Sequence, residues 1–223
     1  MPVMKRSDRM RDLRQKIPVH ETFRIAALLA VVGGFLDAYT YLLRGGVFAN
    51  AQTGNIVLLG VSLAEGDIVG AGYYVVPVFA FALGVFLTEM LKKPFVKHYI
   101  ILIEFFLLTV IGFIPVEAPD AIVNVTVSFV CSLQVNSFRK VKELPFATTM
   151  CTGNLRSGTE KLSQYLCGRQ EGAGMEAAHY FGIIGLFILG AAAGAVFSGA
   201  FGEKSIWLCS SLLMFVFILM KKE

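Results

Sequence analysis

The triplet Thr-Gly-Asn occurs twice in this chain, ninety-nine residues apart. The first copy, Thr53-Gly54-Asn55, lies in "FANAQTGNIVLLG"; the second, Thr152-Gly153-Asn154, lies in "FATTMCTGNLRSG". Threonine at a helix start accepts a hydrogen bond from a free backbone N–H, glycine lets the chain turn or pack closely, and asparagine both donates and accepts. Two further amide side chains, Asn50 and Gln52, precede the first triplet. A half-helix starting at Thr53 or Thr152 turns its positive end toward whatever precedes it, which suits an anionic or strongly dipolar ligand. The plainer reading is that these groups cap their helices and satisfy one another.

A second set of polar residues stands inside apolar runs. Asp37 lies sixteen residues before Thr53, and Asn136 lies sixteen before Thr152, so the two are repeat mates. Asp37 is either a helix-end acid paired with Arg44 or a group that carries a coupling proton or cation. Glu104, in "HYIILIEFFLLTVIGFIP", has no basic residue within six positions. It is the second candidate for coupling, with Arg156 or Lys161 as possible salt-bridge partners. Gln134 shares its segment with Asn136, and together with Arg156 these are supporting polar residues. Glu89 is expected to pair with Lys92 and Lys93, and His179, near Glu176, reads as interfacial rather than catalytic.

The segments that must position these groups are membrane segments. Hydrophobic residues make up 56% and charged residues 16%, against about 45–50% and about 25% in soluble proteins. Glycine, at 22 residues, is frequent where membrane helices approach closely. The net charge of +4 comes from basic residues in loops and termini rather than from a basic face, so nucleic acid is not an expected partner. Four cysteines without a CxxC and three histidines give no metal, cofactor or disulfide pattern. There is no HExxH, no pair of intramembrane aspartates and no Ser/His constellation, so an enzyme is not expected.

Runs near the ~20 residues that cross a bilayer fall at Phe23–Leu43, Ala71–Leu91, His98–Pro115, Ala121–Phe138, Ala178–Phe201 and Ser205–Met220. The first is too long for a signal-peptide core and reads as a retained anchor. The segments holding the triplets, Phe48–Ala64 and Phe146–Gly168, are short or carry Arg156, Glu160 and Lys161. Loop charge decides their course. With the tail residues Lys5, Arg6, Arg9, Arg11, Arg14 and Lys16 in the cytoplasm, a full crossing by Phe48–Ala64 puts Lys92, Lys93 and Lys97 outside. If both segments dip in and return, those lysines fall inside, as do Arg139, Lys140, Lys142, Arg169, Lys221 and Lys222. Arg44 is the one exception.

The expected fold is therefore all-α: six transmembrane helices plus two re-entrant or broken polar half-helices. Residues 1–21 form a basic cytoplasmic tail, 22–118 a first membrane repeat and 119–223 a second, within one integral membrane domain with both termini cytoplasmic. "FALGVFL" (Phe81–Leu87) and "FILGAAA" (Phe187–Ala193) extend the repeat. Three crossings per half make the halves inverted, an arrangement frequent in secondary transporters with a site near the bilayer midplane. The run Gly190–Gly194, "GAAAG", is a small-residue stripe for helix packing, within the chain or in a homodimer.

The stretch "GGFLDAYTYLLRGGVFANAQTGNIVLLG" resembles the signature of the YoaK-like family of bacterial inner-membrane proteins, a domain of unknown function. The glycine pair, Asp37-Ala-Tyr, Phe48, Asn50 and both triplets carry the resemblance, together with the glycine-rich span near Phe187. It implies a membrane location. The residues themselves point to a small-solute transporter, proton- or cation-coupled, with Asn50, Gln52, both triplets, Asp37 and Glu104 at work. A passive channel or a non-transporting scaffold is the alternative, and the substrate is not legible.

Overall fold

The structure, a computed structural model, describes residues 18–91, 96–141, 144–145 and 148–221. The tail basics from Lys5 to Lys16, together with Lys92, Lys93, Lys142, Phe146 and Lys222, lie outside the described residues. Eight α-helices follow in order: α1 Phe23–Leu43, α2 Gln52–Ala64, α3 Ile68–Met90, α4 Val96–Ile111, α5 Asp120–Ser137, α6 Cys151–Leu166, α7 Ala173–Phe201 and α8 Trp207–Met220. The described chain is all-helical apart from a two-residue antiparallel ladder, β1 Lys140–Val141 with β2 Leu144–Pro145.

The helix limits have local causes. Thr22 Oγ1 donates to the Val19 carbonyl at 2.6 Å, closing a 3-10 turn that leads into α1. Helix α1 stops where Gly45 and Gly46 adopt φ of 75° and 73°, a region open to glycine at little cost. Asp67 caps α3 by accepting the Gly70 amide at 2.9 Å. The triplet helices α2 and α6 start at Gln52 and Cys151, ninety-nine residues apart, so the sequence repeat is also a repeat in helix register.

Contacts between helices fix their directions. Helices α1 and α7 run parallel: Phe23 packs on His179 with ring centroids 5.0 Å apart, and further along Gly190 and Gly194 press against the backbone of Val31 and Phe35. Helices α3 and α5 run parallel too, with Gly84 against the Phe129 carbonyl and Thr88 bonded to Asn136. By contrast α1 and α5 are antiparallel: Gln134 Nε2 donates to Leu29 O at 3.3 Å and Asn124 Nδ2 to Arg44 O at 2.8 Å. Helices α4 and α8 are antiparallel as well, tied at one end by His98 to Met220 and at the other by Trp207 Nε1 donating to Thr109 O at 3.1 Å. Arg44 donates to the carbonyls of Ile114 and Pro115 at 2.8 and 3.1 Å, which sets the end of α4 beside the end of α1. Helices α1, α4 and α7 thus run one way, and α3, α5 and α8 the other.

The two triplet helices run oppositely. A three-residue link joins α2 to the start of α3, so α2 returns to the end where α1 stopped. Helix α6 lies antiparallel to α7: Gly158 packs on Tyr180, Gly174 on Tyr165, and Lys161 Nζ meets Glu176 Oε2 at 2.6 Å.

The main core lies among α1, α4, α5 and α8, where Leu29, Tyr39, Leu108, Val127 and Leu213 are fully buried. The outer surface is apolar: Phe79, Phe106, Phe201 and Val69 are among many large hydrophobic side chains left exposed. Three stretches are long and apolar enough to cross a membrane, Phe23–Leu43, Ile68–Met90 and Ala173–Met220, the last containing α7 and α8. The Gly190–Gly194 stripe is used inside the chain, because both glycines are buried against α1.

Candidate functional site

Two non-helical approaches bring the triplets together. After α1 ends, Val47 to Ala51 fold back along it, with Val47 and Ala49 fully buried. Asn50 Nδ2 donates to Gly33 O at 3.2 Å, and the Asn50 amide donates to Asp37 Oδ1 at 2.6 Å. At 1.5 Å per residue, Gly33 lies about 15 Å back from the end of α1. Helix α2 therefore begins well inside the molecule. Thr149, the repeat mate of Asn50, arrives at the same place from the other half. Its methyl group occupies the space that a side chain at position 33 would need.

Between these approaches lies a cavity of about 1000 Å³. Thr53 borders it from α2, and Thr152, Gly153 and Asn154 border it from α6. Asn50 contributes from the first approach, Gln52 from the first residue of α2, and Asp37 and its mate Asn136 from α1 and α5. Tyr41 and Phe48, stacked with centroids 4.9 Å apart, form an aromatic wall, with Phe81 and Phe187 on other sides. Eight residues singled out by sequence thus meet in one space.

The threonines are not caps. The residues that precede α2 and α6, Ala51 and Met150, make no side-chain cap bond, and each triplet threonine sits one residue inside its helix. Thr53 and Thr152 are exposed, and both border the cavity. At α2 the capping work falls to others. Asp37 receives the Asn50 amide, with the amides of Ala51 and Ala49 also turned toward its carboxylate. Gln52 Nε2 donates to Ala49 O at 2.9 Å. A carboxylate at a helix N-terminus is stabilised by the partial positive charge there. Asp37 is thus held by backbone amides; Arg44 instead lies 3.7 Å from Asp120.

Five of the expected site residues lie elsewhere. Asn55 clamps the Phe48 peptide, accepting its N–H at 3.0 Å and donating to its carbonyl at 2.7 Å. Gly54 leaves room for the Phe48 ring over the first turn of α2. Gln134 is buried on the Leu29 carbonyl. Arg156 is exposed on the outer face of α6 and pairs with Glu160 at 3.2 Å, one turn along. Glu104 is 1% exposed and neither oxygen has a hydrogen-bond partner among the described residues. Its suggested partners are engaged, Arg156 by Glu160 and Lys161 by Glu176.

The sequence reading missed the rim. Arg139 borders the cavity and pairs with Glu89 at 3.2 Å, while Asn136 Nδ2 donates to Glu89 Oε1 at 3.1 Å and to Thr88 Oγ1 at 2.8 Å. Glu89 therefore serves the rim. Thr149 was also missed; counting back ninety-nine residues to Asn50 identifies it.

A family model described as a protein of unknown function, DUF1275, matches residues 25–219. The chain belongs to the DUF1275 family. The match takes in all eight helices but for the first two residues of α1 and the last of α8. A relative in this family's likeness is the UPF0700 transmembrane protein YoaK of Bacillus subtilis (strain 168), 28% identical over 149 residues. That alignment covers 62% of this chain and 66% of the relative, just under two thirds of its length. No solved structure matches. The apolar helices, the exposed apolar surface and the likeness to a transmembrane relative support a membrane location for this DUF1275 chain.

Proposed function

We propose that this protein is a small-solute membrane transporter, built as six crossings in two inverted halves, with its substrate site in the cavity between the two triplet helices. The observation that carries this reading is the convergence of Thr53 and Thr152 on one cavity, from helices that run in opposite directions. Irregular backbone at membrane depth is tolerated where it is buried in protein or lines a cavity. The approaches before α2 and α6 do both.

The helix pairings support the inverted repeat. The first helix of each half packs on the third of the other, α1 on α7 and α5 on α3. Within each half the triplet helix packs on the helix after it, α2 on α3 and α6 on α7. The close crossings correspond too, Gly190 against Val31 and Gly84 against Phe129. Charge supports the sidedness. Glu65, Asp67, Glu117 and Asp120 share one end of the bundle, while Arg139, Arg169 and Lys221 share the other. By the positive-inside rule the second end is cytoplasmic, with both termini.

Asp37 is the coupling group in this reading. It is the one carboxylate on the cavity wall among the described residues, and its protonation alters the charge that a solute meets. Glu104 has no part in it, being enclosed in the core away from the cavity.

The test is solute uptake into liposomes holding the purified full chain, with and without an imposed pH gradient. A saturable flux that falls in Thr53→Val with Thr152→Val supports the proposal. A flux that never saturates favours a channel, and no flux across a broad solute panel contradicts both.

A further inference from the structure

The two helix starts that meet at the cavity are chemically unequal. At α2 the anion position is filled from within, because Asp37 accepts the Asn50 amide and faces its neighbours. At α6 the equivalent carboxylate does not exist: Asn136 stands there, and its side chain turns away to Thr88 and Glu89. The start of α6 thus keeps its positive end free of any carboxylate from the paired position. Two polar side chains on the cavity wall carry an atom without a partner. Among the described residues, Thr149 Oγ1, at the approach to α6, has no hydrogen-bond partner, and Asn50 Oδ1, beside Asp37, has none either. Both residues are more than nine-tenths buried and both border the cavity. One is a hydroxyl able to donate to an anion; the other is an acceptor for a donor.

A purely anionic solute fits poorly, since Asp37 lines the same cavity as the start of α6. A purely cationic one leaves the helix start and the Thr149 hydroxyl unmatched. Arg139 does not alter this balance, because Glu89 neutralises it. We infer that the cavity takes a small zwitterion of the amino-acid type. Its carboxylate sits at the start of α6, on the hydroxyls of Thr149 and Thr152, and its ammonium faces Asp37 and Asn50 Oδ1. The aromatic walls leave room for an apolar side chain. This inference rests on the proposed site between the triplet helices, and it concerns binding rather than flux.

The experiment measures ligand-induced thermal stabilisation of the purified full chain in detergent, where no gradient or transport is needed. The probes are glycine, alanine, proline, leucine, phenylalanine and glutamine, each set against its decarboxylated amine and its deaminated acid. We expect at least one amino acid to bind about tenfold or more tightly than both of its counterparts, and Thr149→Val to remove about tenfold of that affinity. Thr152→Val, a change on an exposed position, gives the same test should Thr149→Val fail to fold. Binding by none of the six, or equal binding of the acid or amine, overturns the inference. So does unchanged affinity in both valine variants. Binding without flux leaves the zwitterion site standing and removes the transporter; flux of other solutes without zwitterion binding does the reverse.

Discussion

Asn50 and Thr149 meet over Gly33. Asn50 donates to the Gly33 carbonyl at 3.2 Å, and the Thr149 methyl fills the space where a side chain at position 33 would stand. They are ninety-nine residues apart and hold the same place before their helices, so the two halves touch through corresponding residues. Any side chain at position 33 pushes the approaches apart. We expect Gly33→Val to abolish function and to lower thermal stability by about 1–3 kcal/mol through overpacking. Unfolding in detergent reads the second effect, and an unchanged midpoint contradicts the crossing.

The glycines of α7 separate packing from composition. Gly190 lies against the Val31 backbone, whereas Gly185 has open space around it. Gly190→Ala should destabilise, because a backbone carbonyl cannot move aside cheaply. Gly185→Ala should be neutral or stabilise by up to about 1 kcal/mol, the helix preference of alanine over glycine. Comparing the two unfolding midpoints checks this, and equal shifts argue against the α1–α7 contact.

Arg44, the exception to the charge pattern, is explained by burial. Its side chain is 0% exposed and donates to two carbonyls beyond the end of α4, while Asn124 holds its own carbonyl. Arg44→Met leaves those acceptors unpaired and should cost about 2–4 kcal/mol. Arg44→Lys should recover little of it, since one ammonium does not reproduce the guanidinium fork. Full rescue by lysine means that charge alone mattered.

The helices are legible in the sequence because they are written in apolar length. Phe23–Leu43 is recovered to the residue, and the other helix limits fall within a few positions. The repeated triplet also announces its own importance, since two copies in one register fold to one cavity. What the sequence hides is partnership. Asp37 and Arg44 look like neighbours by spacing, yet backbone amides claim the first and carbonyls from the end of α4 the second. Asn55 resembles a ligand-binding amide but is taken up by the Phe48 peptide seven residues earlier. Nor does isolation in sequence separate a cavity carboxyl from a core one, which is why Glu104 stands out in the sequence and then lies away from the site.

Glu104 supplies its own test. A carboxyl enclosed with no partner among the described residues costs stability, so Glu104→Leu should raise the unfolding midpoint, by about 1–3 kcal/mol. Uptake and its pH response should survive in Glu104→Gln, while Asp37→Asn should lose the pH response. The reverse pattern in uptake assays assigns coupling to Glu104 instead.

The central claim is that the two triplet helices reach the cavity from opposite faces of the membrane, and side-specific thiol labelling in intact cells tests it most directly. Cys167, exposed just after α6, serves as one probe, and Glu65→Cys, just after α2, as the other, each as the sole cysteine. The proposed topology predicts that an impermeant reagent labels Glu65→Cys from outside and reaches Cys167 only after permeabilisation. Labelling of both positions from the same side contradicts it.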